Sequence, residues 1–353
     1  MRTLHSSETI GFGLVGTGMI ANFHAAAIQA MGAERNVRLA GVADLNADEA
    51  EAFARKHGVP YHTHDLAAML ARPDIHVVCV LTPSGAHLEP ALQAIAAGKH
   101  VVIEKPLEIT VERVDRILSA AERARVMVAA IFQARFSAGA RAVKTALAAG
   151  RFGRLVLCSA YVKWHRSREY YTGWKGTLAL DGGGAVMNQS IHAVDLLQWF
   201  AGMPAEVFAW TDRRVHTGIE AEDTACCAFR FAHGALGVLE ATTAAYPGWE
   251  RRIEICGELG SAAIEDDRII RWDFRDAEPG DAALLAAAGG TGGSGAGAPD
   301  QISHRGHQLQ LEEVVQALRG NRPLTVSGYE ARNAVALICA IYQSARSGSP
   351  ARL

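Results

Sequence analysis

The stretch IGFGLVGTGMIANFH, residues 10–24, decides the fold. Its apolar start reads as a strand, and the strand runs at once into Gly16, Thr17, Gly18, Met19, Ile20 and Ala21, then into a helical pattern. Strand, G-x-G-x-x-A turn and helix in immediate succession form a dinucleotide-binding fingerprint. Gly16 permits the tight turn, Gly18 lets a pyrophosphate approach the backbone, and Ala21 lets helix and strand pack closely. The phosphates would then meet amide groups at the positive end of the helix. The next strand, VRLAGVAD, ends on Asp44, where a carboxylate meets the adenosine ribose hydroxyls. That acid repels a 2′-phosphate, and Leu45 and Asn46 offer no arginine to replace it, so NAD is expected over NADP.

Working outward, short apolar runs alternate with helical segments as far as VMVAAIF, residues 126–132. Such alternation implies a parallel sheet covered on both faces. Residues 1–132 are therefore expected to form a doubly wound Rossmann domain. The rhythm then changes: AGARAVKTALAAG reads as a helix, and LVLCSAYVKW, EVFAWTDRR, DTACCAFRF, ALGVLEATTAA, RRIEICGE and SAAIEDD read as strands joined by tight turns. Residues 133–353 are expected to form an α/β domain with an open, mainly antiparallel sheet, the glycine-rich AAAGGTGGSGAGAPD at 286–300 being a surface loop. Two helical patterns close the chain.

Composition narrows the function classes. A chain of 353 residues exceeds what one core usually serves. A net charge of −2 gives no reason to expect nucleic acid or an anionic membrane as partner. The first ten residues lack the apolar run of a signal peptide, no later stretch is long enough to span a membrane, and six scattered cysteines without a CxxC pair suit a reducing cytoplasm. His57, His62 and His64 lack a further ligand, so no metal site is expected.

Ligands of doubly wound sheets bind beyond the carboxyl ends of the strands. The fourth strand ends in TPSGAH, placing Thr82, Pro83, Ser84 and His87 beside the cofactor, and the fifth ends in Glu104, Lys105 and Pro106. Taken with GTGMIA, GKHVVIEKP, QARFSAGARAVKTALAAGRFG, GGGAVMNQSIHAVDLLQW and EARNAVALICAIYQSARSG, these motifs resemble, in order, the glucose-fructose oxidoreductase / inositol dehydrogenase (Gfo/Idh/MocA) family. The resemblance implies NAD(P)-dependent oxidation or reduction of a sugar, polyol or related alcohol, and a homodimer or homotetramer paired through the C-terminal sheet. It implies Lys105 and His192 as the catalytic pair, with Glu104 and Lys105 also near the cofactor. Many members place an aspartate four residues before that histidine. This chain has Asn188, which cannot take a proton at ordinary pH.

The residues suggest a mechanism in which His192 takes the hydroxyl proton and Lys105 stabilises the developing alkoxide. The two roles could be exchanged. If GGGAVMNQSIHAVDLLQWF (182–200) is helical throughout, Asn188, His192, Asp195 and Trp199 share one face. Asn188 and Asp195 are then substrate-binding candidates, Asp195 with the alternatives of orienting His192 or anchoring the helix, and so are Lys163, Tyr171 and Trp174 from the aromatic, donor-rich SAYVKWHRSREYYTGWKG. Lys163, His165, Arg166 and Arg168 leave room for an anionic group such as a uronate or a nucleotide-sugar phosphate. Two other readings stand beside the dehydrogenase: an NAD-assisted glycoside hydrolase or lyase working by transient oxidation, and a non-catalytic NAD-responsive regulator. Net NADH release separates the first from both.

Overall fold

The structure is a computed structural model that describes residues 8–288, 304–320 and 323–353. The first unit begins with β1 (Ile10–Val15), α1 (Met19–Met31), β2 (Val37–Ala43), α2 (Ala47–His57), β3 (His62–Thr63) and α3 (Leu66–Leu70). It continues with β4 (Val77–Val80), α4 (Leu88–Ala96), β5 (His100–Ile103), α5 (Val111–Ala124) and β6 (Val128–Ala130). All strands run parallel in the order β3-β2-β1-β4-β5-β6. The order reverses between β1 and β4, so their carboxyl ends form the topological switch point at which such sheets bind ligands.

In the second unit, α6 (Ala138–Ala148) leads to β7 (Leu155–Lys163), a π-helical turn (Ala185–Gln189) and α7 (Ile191–Ala201). Then come β8 (Pro204–Asp212), β9 (Thr224–Phe231), β10 (Leu236–Thr242), β11 (Arg252–Gly257), β12 (Gly260–Glu265), β13 (Arg268–Phe274) and α8 (Asp281–Ala288). The chain closes with α9 (Arg305–Leu318), α10 (Gly328–Ser347) and β14 (Ala351–Arg352). The second sheet has the order β13-β12-β11-β7-β10-β9-β8-β14 and is antiparallel except at β7–β10. The stretch read as a glycine-rich loop supplies the last turn of α8; the remainder of that loop lies outside the described residues, as do the first seven residues of the chain.

The division differs from the expected one. The first unit runs to Gln133 and takes in His304–Arg332, so α9 belongs to it and not to the C-terminal domain. The cause is apolar: Leu311, Val314, Val315 and Leu318 of α9 are buried with Ile10, Phe12 and Leu14 of β1 and Ile28 and Met31 of α1. Strand alternation sends Gly11 and Gly13 to the other face of β1, where a Cβ on Gly11 would stand 1.9 Å from the Asp74 carbonyl oxygen. Gln310 fastens α9 to the sheet edge, accepting from the Phe132 amide at 3.0 Å and donating to the Ala130 carbonyl at 2.5 Å.

In the second sheet one face is closed by α7, and Cys158, Ala160, Val162, Leu239, Ala241 and Phe229 are buried there. On the opposite face Leu157, Leu236 and Trp210 are exposed.

Leu311→Ala leaves a cavity that costs about 2–5 kcal/mol. Hydrogen exchange is expected to accelerate in β1 and α1 and to stay unchanged in β9 and β10. Acceleration confined to the second sheet would return α9 to that unit.

Candidate active site

In the first unit the glycine turn is shaped for an anion. Gly16 has φ +96°, and a Cβ there would lie 3.0 Å from the Leu81 carbonyl oxygen, so only glycine is at ease. Gly18 precedes α1 with ordinary φ, and nothing lies within 4 Å of the position its Cβ would take. The first turn of α1 has neither a side-chain cap nor an acidic residue, which leaves its positive end to a ligand. Asp44 accepts from the Thr17 amide (2.9 Å) and hydroxyl (2.8 Å) and from the Asn46 amide (3.0 Å), tying the end of β2 to the glycine turn. These residues fit a dinucleotide: an uncapped helix end for the pyrophosphate and an acid at the ribose position. Met19 and Ile20 form the first turn of α1, with Met19 half exposed.

Beyond β4 and β5 the polar side chains divide into two groups. Thr82, Pro83 and Lys105 are partly exposed, and Ser84 is buried at the start of a short 3-10 turn. His87 and Glu104, expected beside the cofactor, instead brace the backbone. The His87 ring is buried, with Nδ1 2.9 Å from the Pro106 carbonyl and Nε2 2.9 Å from the Thr82 carbonyl, linking the two loops. The Glu104 carboxylate turns inward: Oε1 lies 2.9 Å from His24 Nε2 on α1 and 3.3 Å from His307 Nε2 on α9, while Oε2 accepts from the Lys105 amide at 3.1 Å. Burial pushes the Glu104 carboxyl up, but the hydrogen bond from His24 and the nearby His307 imidazole outweigh it and hold it well below the usual range. Burial lowers His24, which is therefore a neutral donor. Sequence reasoning missed both histidines, whose ligand atoms lie with that of Glu104 within 4.8 Å of one another, as a cation site would require.

In the second unit the stretch 182–200 is not one helix. A π turn precedes α7, so Asn188 stands outside the regular face that carries His192, Asp195 and Trp199. The glycine run reflects crowding: a Cβ on Gly183 would lie 2.0 Å from the Tyr342 hydroxyl, and one on Gly184 would lie 1.8 Å from the Glu222 carbonyl oxygen. Buried Glu222 accepts from the amides of Gly184 (3.1 Å) and Val186 (2.8 Å) and from the Tyr342 hydroxyl (2.9 Å), so one carboxyl shapes the turn. Burial raises the Glu222 carboxyl above its ordinary range against these donors.

Two substrate candidates are corrected. Asp195 has no exposure; it makes a bidentate pair with buried Arg135 at 2.6 and 2.7 Å and accepts from Gln198, which makes it an anchor of α7. Trp199 lies beneath the Arg135 and Lys144 cations. Lys163 pairs with Glu240 at 2.7 Å on the open face of the sheet, opposite the face that α7 covers. Tyr171 donates to or accepts from Thr243 Oγ1 at 2.6 Å, and burial raises its phenol; Trp174 is half buried. His192 is buried to 8% exposure at the start of α7. Two buried or half-buried cations, Arg166 and Lys175, flank Tyr170, and burial lowers the pKa of each.

Residues 10–132 match the model of an oxidoreductase family with an NAD-binding Rossmann fold, and 140–263 match the GFO/IDH/MocA C-terminal domain. The WlbA dehydrogenase of Bordetella pertussis, solved in complex with NADH and UDP-GlcNAcA, is 35% identical, with 99% of each chain covered and a TM-score of 0.90. The WlbA dehydrogenase of Chromobacterium violaceum, solved with the same two molecules, is 32% identical over 100% of this chain and 98% of that one, also with a TM-score of 0.90. Inositol 2-dehydrogenase of Rubrobacter xylanophilus is 26% identical over 98% of this chain and 94% of its own.

Gly18→Ala is expected to leave the melting temperature within about 2 °C of wild type and to weaken NADH binding at least tenfold, because its methyl enters the pyrophosphate's place and meets no protein atom. Gly16→Ala is expected to lower the melting temperature itself; equal behaviour of the two in calorimetry and NADH titration would contradict the assignment. Asp195→Ala strands a buried guanidinium and is expected to cost about 3–5 kcal/mol in urea unfolding. A cost below about 1 kcal/mol would show that the pair is not the anchor of α7.

Proposed function

The chain belongs to the Gfo/Idh/MocA family of NAD-binding oxidoreductases, and on that premise we propose that it uses NAD to oxidise a secondary hydroxyl of a nucleotide-linked uronic acid. The observation that carries the substrate class is the full-length likeness, at 32% and 35% identity, to two dehydrogenases held with NADH and UDP-GlcNAcA. Buried Arg166 and half-buried Lys175 in the second unit support an anionic sugar.

The cofactor is held by Gly16, Thr17, Gly18, Met19, Ile20 and Asp44, with Thr82, Pro83, Ser84 and Lys105 at the next strand ends. When bound it supplies the acceptor for the hydride lost by the carbinol carbon. His192 takes the hydroxyl proton as general base, and Lys105 donates a hydrogen bond to the oxygen as negative charge develops on it. Asn188, Tyr171 and Trp174 contact the sugar. Asp44, together with the lack of a nearby arginine, favours NAD over NADP.

The enzyme works in the cytoplasm, where its six free thiols stay reduced. It assembles as a homodimer or homotetramer through the open sheet face, on which Leu157, Leu236 and Trp210 are exposed. No helix among the described residues is long and apolar enough to cross a membrane.

NAD reduction is measured across nucleotide-linked uronates, free uronates, inositols and anhydrosugars. NADH is expected with the nucleotide-linked uronate, and Lys105→Met and His192→Ala are each expected to lower kcat by about 10²–10⁴-fold. NADH from no member of the panel, or near-normal turnover in both variants, defeats the proposal. Glycoside cleavage without net NADH supports the transient-oxidation reading instead.

A further inference from the structure

We propose that Asp181, the residue before the glycine run, is the positioning residue that fixes the end-for-end orientation of the Asn188 amide, so that its carbonyl oxygen is offered as acceptor to a substrate hydroxyl. This rests on the reading of Asn188 as a sugar contact given above.

From Gly183 to Gln198 every residue is buried except Asn188, which is partly exposed. The backbone holds it out: the Asn188 amide donates to the Gly184 carbonyl at 2.9 Å, and Gly184 is itself pinned by Glu222. Asn188 Nδ2 donates to Asp181 Oδ1 at 2.5 Å, and Asp181 Oδ2 accepts from the Gly176 amide at 2.8 Å. Asp181 is 1% exposed, so the acid lies inside the protein behind the partly exposed amide.

An ionised carboxylate only accepts, and an amide presents an acceptor at one end and donors at the other. An asparagine side chain is ordinarily free to flip end for end. Here the acid can tolerate only the NH₂ end, because the flipped amide would set oxygen against oxygen. The carbonyl Oδ1 is therefore fixed on the side away from Asp181. A fixed carbonyl accepts a hydrogen bond from a hydroxyl, as a carboxylate at this position would, but it carries no charge and does not titrate.

Lys175 and Tyr170 both feel the charge of Asp181, which raises the Lys175 ammonium against the effects of burial and of Arg166. A second carboxylate at position 188 would lie within hydrogen-bond distance of the first, where both cannot ionise without a large penalty. The amide at 188 and the acid at 181 are thus a matched choice.

The test uses Asp181→Asn, Asn188→Asp and the double exchange. Asp181→Asn is expected to lower kcat/KM for the nucleotide-linked uronate about 10–100-fold while NADH affinity stays within twofold of wild type. The double exchange puts the carboxylate at 188 and the amide at 181. It is expected to recover at least part of that loss and to add to the pH profile of kcat/KM a second acid limb besides the one that His192 as base gives wild type. Asp181→Asn within threefold of wild type, or a double variant with an unchanged pH profile, overturns the proposal.

A readout without turnover separates this idea from the assigned reaction. In Asn188→Asp the paired acids raise each other's folded pKa, so stability is lost as pH rises. Its melting temperature is expected to fall relative to wild type between pH 5 and pH 8, and the double exchange to remove most of that pH-dependent fall. If no sugar is oxidised but the melting shifts follow this pattern, the assigned reaction fails and the pairing stands. If the shifts are absent, the pairing fails whatever the activity.

Discussion

Buried carboxylates hold the irregular backbone on which the candidate residues of each unit stand, and Glu104 is the clearest case. It ends β5 immediately before Lys105 and has only 5% exposure. An isolated buried carboxylate would cost several kcal/mol, so its position is tenable only because two imidazoles and an amide face it. Its carboxyl is held below the usual range by the His24 hydrogen bond and the facing His307 imidazole. Its contribution to stability is therefore present at neutral pH and is lost as pH falls through the depressed value. The histidines come from α1 and α9, so the turn carrying Lys105 is tied to the helix that opens at the pyrophosphate site.

The second unit repeats the device with different partners. Glu222 gathers the amides of a π turn, Asp195 meets Arg135 below α7, and Asp181 holds Asn188. Regular helices and strands satisfy their own amides, whereas π turns and strand ends leave donors and acceptors that side chains must meet. The glycines at 183 and 184 belong to the same arrangement. They let the Tyr342 hydroxyl and the Glu222 carbonyl come closer than any Cβ would allow. Shape at this site comes from small residues, and orientation from acids.

The legible part of the sequence was the part whose signal is local. Strand, glycine turn and helix lie within residues 10–24, and the acid ending β2 follows at a fixed place in the unit, so the fold and the cofactor were readable. Partnership across long separations was not. The periodicity of α9 shows a buried face but not that β1 and α1 cover it, which is why the helix was assigned to the wrong unit. Strand β13 was missed because it is an edge strand with exposed Arg268, Arg271 and Asp273 and no apolar run. Asp195 shares a helix with His192, and only the coordinates show that its carboxylate meets Arg135. Lys163 was misread because alternation divides a strand into two faces without saying which one the helices cover.

Asn188 shows how a departure from a family pattern becomes intelligible. By itself, an asparagine where many members have an aspartate looks like the loss of a proton acceptor. With Asp181 behind it, the amide is the only neutral group of that size that can donate inward to the acid and accept outward from a hydroxyl. Leucine would leave the buried acid without its donor, and aspartate would set charge against charge. On the proposed pairing, the carboxylate lies one layer inward, where it orients the amide. Proton transfer is then left to groups that can titrate, and on this chain the candidates for it are Lys105 and His192.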